Sequence, residues 1–299
     1  MSKSVVPNRT FDLTAQGPFD FAESVRFWKG FTLFNAGEGA HEASVDLAFV
    51  PPGSNSAVGV RATGIPGGIH AEIYGDAPER IARDVARIFS LDVDARDFES
   101  LAERNPELTP LLDHYAGSRP VLFPSPYEAA AWAIISQRVR MTQAAKVKAN
   151  LERELGELVQ FPDNKLYAFP APSVLRKLGP FPGLMATKVE RLHGLAEAAN
   201  EVLNPAQLRA MSPADADSAV QAIPGIGGFS AELILLRGVG FPDQLPITGQ
   251  HMSEGISRLY RLSSVPDEAT IREIAEDWRP FRGWVAFLMH RMLNDGAFE

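Results

Sequence analysis

Cysteine is absent from the 299-residue chain. No disulfide framework, thiol nucleophile or cysteine-held iron–sulfur cluster can therefore be built. Long apolar runs are missing too. Although 45% of residues are hydrophobic, no run reaches the ~20 residues of a membrane span. The N-terminus Met1-Ser-Lys-Ser-Val-Val lacks the apolar stretch of a signal peptide, so the expected location is cytoplasmic, with no membrane partner. Positive charge is scarce: 29 Lys/Arg stand against 37 Asp/Glu, a net charge of −8. That balance argues against coating nucleic acid by bulk attraction. Most of the surplus acid lies before residue 121, which leaves room for a local basic face further on. Zinc-ligand spacing, a phosphate-binding P-loop and a nucleophile elbow are also absent, and no cofactor is expected.

What is present centres on Ala222-Ile-Pro-Gly-Ile-Gly-Gly-Phe-Ser-Ala231. Before it, Ser212-Pro213-Ala214-Asp215 reads as an N-cap, a first-turn proline and a first-turn acid, opening a helix through Gln221. After it, Phe229 to Val239 is apolar at helical spacing and closes at Gly240. The pattern is helix, glycine-rich hairpin, helix. Gly225 and Gly227 allow a tight turn and close backbone approach. The amides of the turn and of the second helix's first turn then face outward, where they suit a phosphate oxygen. Such contacts position nucleic acid without reading its sequence.

Along the chain, Phe11–Thr14, Ala43–Val50, Val58–Thr63 and Ile69–Tyr74 alternate as half-buried strands. Pro18-Phe-Asp-Phe21 opens a helix through Trp28, and residues 78–90 carry Ile81, Val85, Ile88 and Phe89 at helical spacing. From Asp97 the pattern turns helical: 101–106, 108–115, Ser125 to about Arg138, Thr142–Leu155, Leu184–Ala199, Met252–Tyr260 and a closing helix from Trp278. Phe169–Pro172 reads as a loop. The expected fold class is α+β: a small N-terminal antiparallel-sheet and helix domain over residues 1–95, then an all-α, two-lobed helix–hairpin–helix domain over 96–299.

Three stretches carry a family resemblance: Phe123-Pro-Ser-Pro-Tyr-Glu to Gln137, Ala222 to Leu245, and Trp278-Arg-Pro to Ala286. Together with Pro-Phe-Asp at 18–20, they resemble the AlkA-type DNA-3-methyladenine glycosylases II of the helix–hairpin–helix DNA glycosylase superfamily. The resemblance implies base excision repair of alkylated DNA by a monofunctional N-glycosylase, a hydrolase. The implied partner is damaged double-stranded DNA, bound by a monomer. It places DNA contacts at Gly225, Ile226, Gly227, Gly228 and Ser230, a duplex wedge at Gln137, Arg138 and Val139, and a basic residue at Lys188. It puts a base pocket at Phe229, Leu233, Gln250 and His290. It also implies a monovalent cation on the backbone of Ala222, Gly225 and Gly227.

The sequence departs from the family where the chemistry is expected. Cleaving an N-glycosidic bond develops oxocarbenium charge at the sugar, which a nearby carboxylate stabilises. The family's aspartate falls here at Thr248 or Gly249, and neither carries charge. Three alternatives stay open: a DNA-binding relative without catalysis, a substitute acid at Asp243 or Glu254, or a water oriented by Thr248, Gln250 or His251. Gly228-Phe229 stands where the lyase branch has its Schiff-base lysine, so strand cleavage is not expected.

Overall fold

The structure is a computed structural model that describes residues 5–30 and 43–297. Four strands, β1 (Arg9–Thr14), β2 (Ser44–Phe49), β3 (Val58–Ile65) and β4 (Gly68–Tyr74), form an antiparallel sheet in the order β1-β4-β3-β2. The register pairs Phe11 with Ala71, Val60 with Ile73 and Leu47 with Val60. Alternation explains the faces: Ile69, Ala71 and Ile73 are fully buried while His70 and Glu72 between them are not. Helices α1 (Phe21–Gly30) and α2 (Ile81–Ile88) cover the buried face with Val25, Trp28, Ile81, Val85 and Ile88.

The chain then runs through α3 (Leu101–Arg104), a 3₁₀ turn (Pro106–Leu108) and α4 (Thr109–His114) to α5 (Pro126–Ser136). Ser125 caps α5 by accepting from the Glu128 amide at 3.1 Å. Residues Pro126 to Ile135 of α5 are all buried, as a helix apolar on every side must be. Around it pack α6 (Met141–Leu155), α8 (Ala186–Ala198) and α11 (Gly228–Leu233). Between them lie a small hairpin, β5 (Leu158–Gln160) with β6 (Lys165–Tyr167), and α7 (Pro172–Leu175), α9 (Pro205–Ala210) and α10 (Pro213–Gln221). The C-terminal helices α12 (Gln250–Leu259), α13 (Glu268–Glu276) and α14 (Arg282–Asp295) return to the sheet. Trp278, Trp284, Val285 and Leu288 join its core, whereas residues from Phe123 to Val239 form a second core around α5. Among the described residues no helix is long and apolar enough to cross a membrane.

Three expectations are corrected. The helix after the glycine hairpin is α-helical only to Leu233, and Ile234–Val239 widens into a π-type turn ending at Gly240, φ +84°. There Gly240 N donates to Leu235 O at 2.9 Å, five residues back. A cause is visible at Gly238, where a Cβ would sit 2.9 Å from Pro126 Cα and Ala129 Cβ of α5. The backbone must press against α5, and Arg87 takes the Gly238 carbonyl at 2.6 Å. The closing helix starts at Arg282 rather than Trp278, because Trp278 follows α13 directly and turns its indole into the core, donating to Tyr260 Oη at 2.9 Å. The loop expected through Pro172 ends one residue earlier, since Pro172 opens α7.

Candidate nucleic-acid interface

The hairpin is built as its residues require. Ile223 and Ile226 are buried and anchor it. Gly225 has φ +90°, and a Cβ there would lie 2.5 Å from Arg191 Cδ. Only glycine meets both demands. Gly227 is the extended N-cap of α11, and a Cβ on it or on Gly228 would meet nothing within 4 Å. The first amides of α11 lack intrahelical acceptors, and the surface in front of them is open. Ser230 is buried one turn into α11.

Gln137, at the C-terminal end of α5, ties this hairpin to two helices. Its Nε2 donates to Gly225 O at 2.7 Å, and its Oε1 accepts from Arg191 Nη1 at 2.6 Å. Lys188 of α8 donates to Ile135 O at 2.7 Å and to Gln137 O at 2.8 Å. A buried cation on those last carbonyls is the favourable pole of the α5 dipole. Burial and then the neighbouring Arg191 pull the Lys188 amine below its ordinary value. Arg138 follows, exposed and left-handed at φ +55°. Val139 is half-buried and packs on the second core.

These groups border a cleft of about 490 Å³ lined by Ala133, Ser136, Gln137, Arg138, Met185, Thr187, Lys188, Arg191, Phe229, Ser230 and Leu233. Phe229 is 64% exposed. An aromatic ring so open to water, at the rim of a cleft edged by Arg138 and Arg191, has the chemistry to stack a base. Gly249 lies opposite: a Cβ on it would touch Phe229 Cε2 at 3.9 Å. Gly249 is also the N-cap of α12, with extended backbone at φ −101°.

The structure therefore brings Gln137, Arg138, Lys188, Phe229, Ser230 and Leu233 to one cleft and sets Gly249 across the Phe229 ring. His290 instead meets His251, ring centroids 4.5 Å apart. Burial, with His251 and Arg237 adding to it, pushes His290 down to about 4, so it is neutral at pH 7. The Gln250 side chain lies outside the described residues. Asp243 is clamped by Arg279 at 2.5 Å and by Arg282 at 2.8 Å. Glu254 pairs with Arg258 at 2.7 Å on an exposed helix face. Neither acid faces the cleft lining.

Two residues escaped the sequence reading. Arg191 sits three positions after Lys188 on α8, a spacing that shares a helix face, and it could have been found that way. Glu232 was hidden at the start of an apolar run. Its Oε1 accepts from Ile247 N at 3.2 Å and its Oε2 from Thr248 N at 3.2 Å, with the Thr248 hydroxyl donating to the same Oε2. Among the described residues no group of three or more His, Asp or Glu is arranged to hold a metal ion. In the hairpin, Gly225 O already accepts from Gln137 and Gly227 O from Ala231 N at 2.9 Å. One lone pair remains on each.

The DNA-3-methyladenine glycosylase of Bacillus subtilis strain 168 is 26% identical over 220 residues, covering 72% of this chain and 73% of the relative. The 3-methyladenine DNA glycosylase of Archaeoglobus fulgidus superposes with a TM-score of 0.78 at 22% identity, over 95% of this chain and 98% of that one. An 8-oxoguanine glycosylase/lyase of Clostridium acetobutylicum, solved with double-stranded DNA, superposes at 0.66 and 16% identity, over 97% and 99%. Both likenesses are of fold. The family model described as "HhH-GPD superfamily base excision DNA repair protein" matches residues 131–280, from the middle of α5 through the hairpin to the turn before α14. With the hairpin, the lashed α5 end and the cleft all inside that span, the chain belongs to the HhH-GPD superfamily of base excision DNA repair proteins.

Proposed function

We propose that the protein is an AlkA-type glycosylase that binds damaged duplex DNA and releases alkylated bases such as 3-methyladenine. The observation that carries this reading is the exposed Phe229 ring set over a 490 Å³ cleft at the root of the hairpin. The amides of Gly225, Gly227 and Gly228 hold a phosphate, with Ser230 behind them; Ile226, expected to join them, spends its amide on Ile223 O at 3.1 Å inside the turn. The second lone pairs of the Gly225 and Gly227 carbonyls, with Ala222, would hold a monovalent cation whose charge offsets that phosphate. Arg138 and Val139 fill the gap left by the extruded nucleotide, Gln137 holds their loop to the hairpin, and Lys188 fixes the end of α5. The base lies against Phe229 and Leu233 of the cleft, and a neutral His290 on the neighbouring α14 adds no positive charge against a cationic base. Two of the relatives carry 3-methyladenine in their names, which supports that substrate class. Residues 1–95 act as a scaffold for the helical unit 96–299.

Gly249 favours a second reading. The expected aspartate has no counterpart at Thr248 or Gly249, and a chain lacking any substitute would recognise lesions without excising them. Binding comes first in either case, and Gly227→Asp tests it by placing charge and bulk where the phosphate sits. The variant is expected to lose at least tenfold in affinity for every duplex, intact or damaged, and to lose base release with it. Full duplex affinity in a folded Gly227→Asp protein would contradict the assignment of the hairpin.

A further inference from the structure

We propose that Glu232 supplies the carboxylate of this reaction, with the Thr248 hydroxyl beside it, in place of the aspartate that position 249 lacks. The inference rests on the glycosylase reading above. Glu232 belongs to α11, three residues after Phe229 and so on a neighbouring part of the same helix surface. It is half-buried. Its two oxygens are fixed by the amides of Ile247 and Thr248 and by the Thr248 hydroxyl. Those donors belong to the two residues immediately before Gly249, whose missing side chain would touch Phe229. Glu232 does not itself line the cleft, but Phe229, Ser230 and Leu233 around it on α11 do, and its charge is held against the two residues next to Gly249.

The other acids nearby are spent. Asp243 is bound by two arginines and Glu254 by a third. Among the described residues no arginine or lysine pairs with the Glu232 carboxylate: all three of its donors are uncharged. A carboxylate whose charge is not cancelled is the kind that can stabilise a developing cation.

The reaction balances with these groups. The C1′–N bond breaks, and its electron pair leaves with the base; a base carrying an alkyl positive charge departs neutral. The sugar's oxocarbenium charge is offset by Glu232. A water held against Glu232 by the Thr248 hydroxyl forms the new C1′–O bond and passes its proton to the Glu232 carboxylate, which returns it to solvent. Glu232 is the catalytic residue and Thr248 the positioning residue.

The test is single-turnover base release from methylated duplex DNA between pH 5 and 9, beside affinity for duplex containing an abasic site. Glu232→Gln keeps the side chain's size and one acceptor oxygen, and gives up the second amide bond because its NH2 cannot accept. It is expected to lose at least ~10²-fold in rate, the cost of removing one electrostatic contact to a transition state, with binding unchanged. Glu232→Gln combined with Gly249→Asp should recover activity, because the backbone at 249 admits a side chain. Thr248→Val, which leaves both amide bonds to Glu232, should lose about tenfold in rate with affinity for the abasic duplex unchanged. It carries the test if Glu232→Gln unfolds, and an unchanged Thr248→Val rate then overturns the proposal. Equal rates for wild type and Glu232→Gln would overturn it while leaving the glycosylase reading intact. A wild type that binds abasic duplex yet releases no base at any pH would overturn both.

Discussion

At the scale of residues, Arg138 is the side chain whose backbone conformation most needs a reason. A non-glycine residue at φ +55° costs on the order of 1 kcal/mol, and such strain persists where the surroundings impose it. Here Gln137, the residue before it, is held by Gly225 and Lys188, and Val139 after it is packed. Arg138→Gly removes the strain and the side chain together. It is expected to melt higher than wild type, by roughly 0.5–1 kcal/mol of stability, while losing several-fold more affinity for abasic than for intact duplex. Thermal unfolding and two binding titrations check this, and equal losses on both duplexes would reduce Arg138 to a phosphate contact. The sequence singled out Arg138, Lys188 and Phe229 through motif and position. It could not show Glu232, because the evidence for that residue is a contact with a loop sixteen positions away, and no local spacing encodes such a pairing.

At the scale of elements, the caps were the most legible signals. Ser125 and Ser212 accept from the amides three residues on, as the Ser-Pro-x-acid patterns required. Asp267 and Asn204 cap α13 and α9 in the same way, yet those helices carry too few apolar repeats to be read without the fold. The π-type turn at 234–239 was invisible because it answers to the backbone of α5 rather than to its own residues. Where α5 meets α6 lies a buried charge cluster, Glu128 with Lys148 and Glu152, the last two paired directly. Burial raises the Glu128 carboxyl to about 7, against the pull of Lys148, from an ordinary value of 4.5. The folded state then binds the Glu128 proton more tightly than the unfolded chain does. Its contribution to stability is full below pH 4.5 and is lost as pH rises through 7. Glu128→Gln is expected to flatten that decline and to exceed the wild type at pH 8 by about 1–2 kcal/mol. Melting curves at pH 5 and pH 8 decide it, and parallel declines in both proteins would contradict the assignment.

At the scale of the whole molecule there are two cores, and the cleft is lined by elements of the second. One joins the sheet to α12–α14, and the other surrounds α5 and the hairpin. Gly249, at the start of α12, comes up to the Phe229 ring from the side of the first. Buried arginines hold the parts in register: Arg119 donates to Gln16, Pro18, Ser90 and Val93 carbonyls, and Arg87 to Phe123 and Gly238. The α+β class followed from strand alternation and the later helical periodicity. The return of the C-terminal helices to the N-terminal sheet did not, since no residue pattern marks that long-range packing. The net charge of −8 is reconciled with DNA binding by Arg138 and Arg191 standing together at one cleft. The most direct measurement of the central claim is chromatography of free bases released by the wild-type protein from methylated and from hypoxanthine-containing duplex. The account predicts release of 3-methyladenine and 7-methylguanine, which leave as neutral bases, and release of hypoxanthine at least ~10²-fold slower. No free base from DNA that the protein demonstrably binds would contradict it.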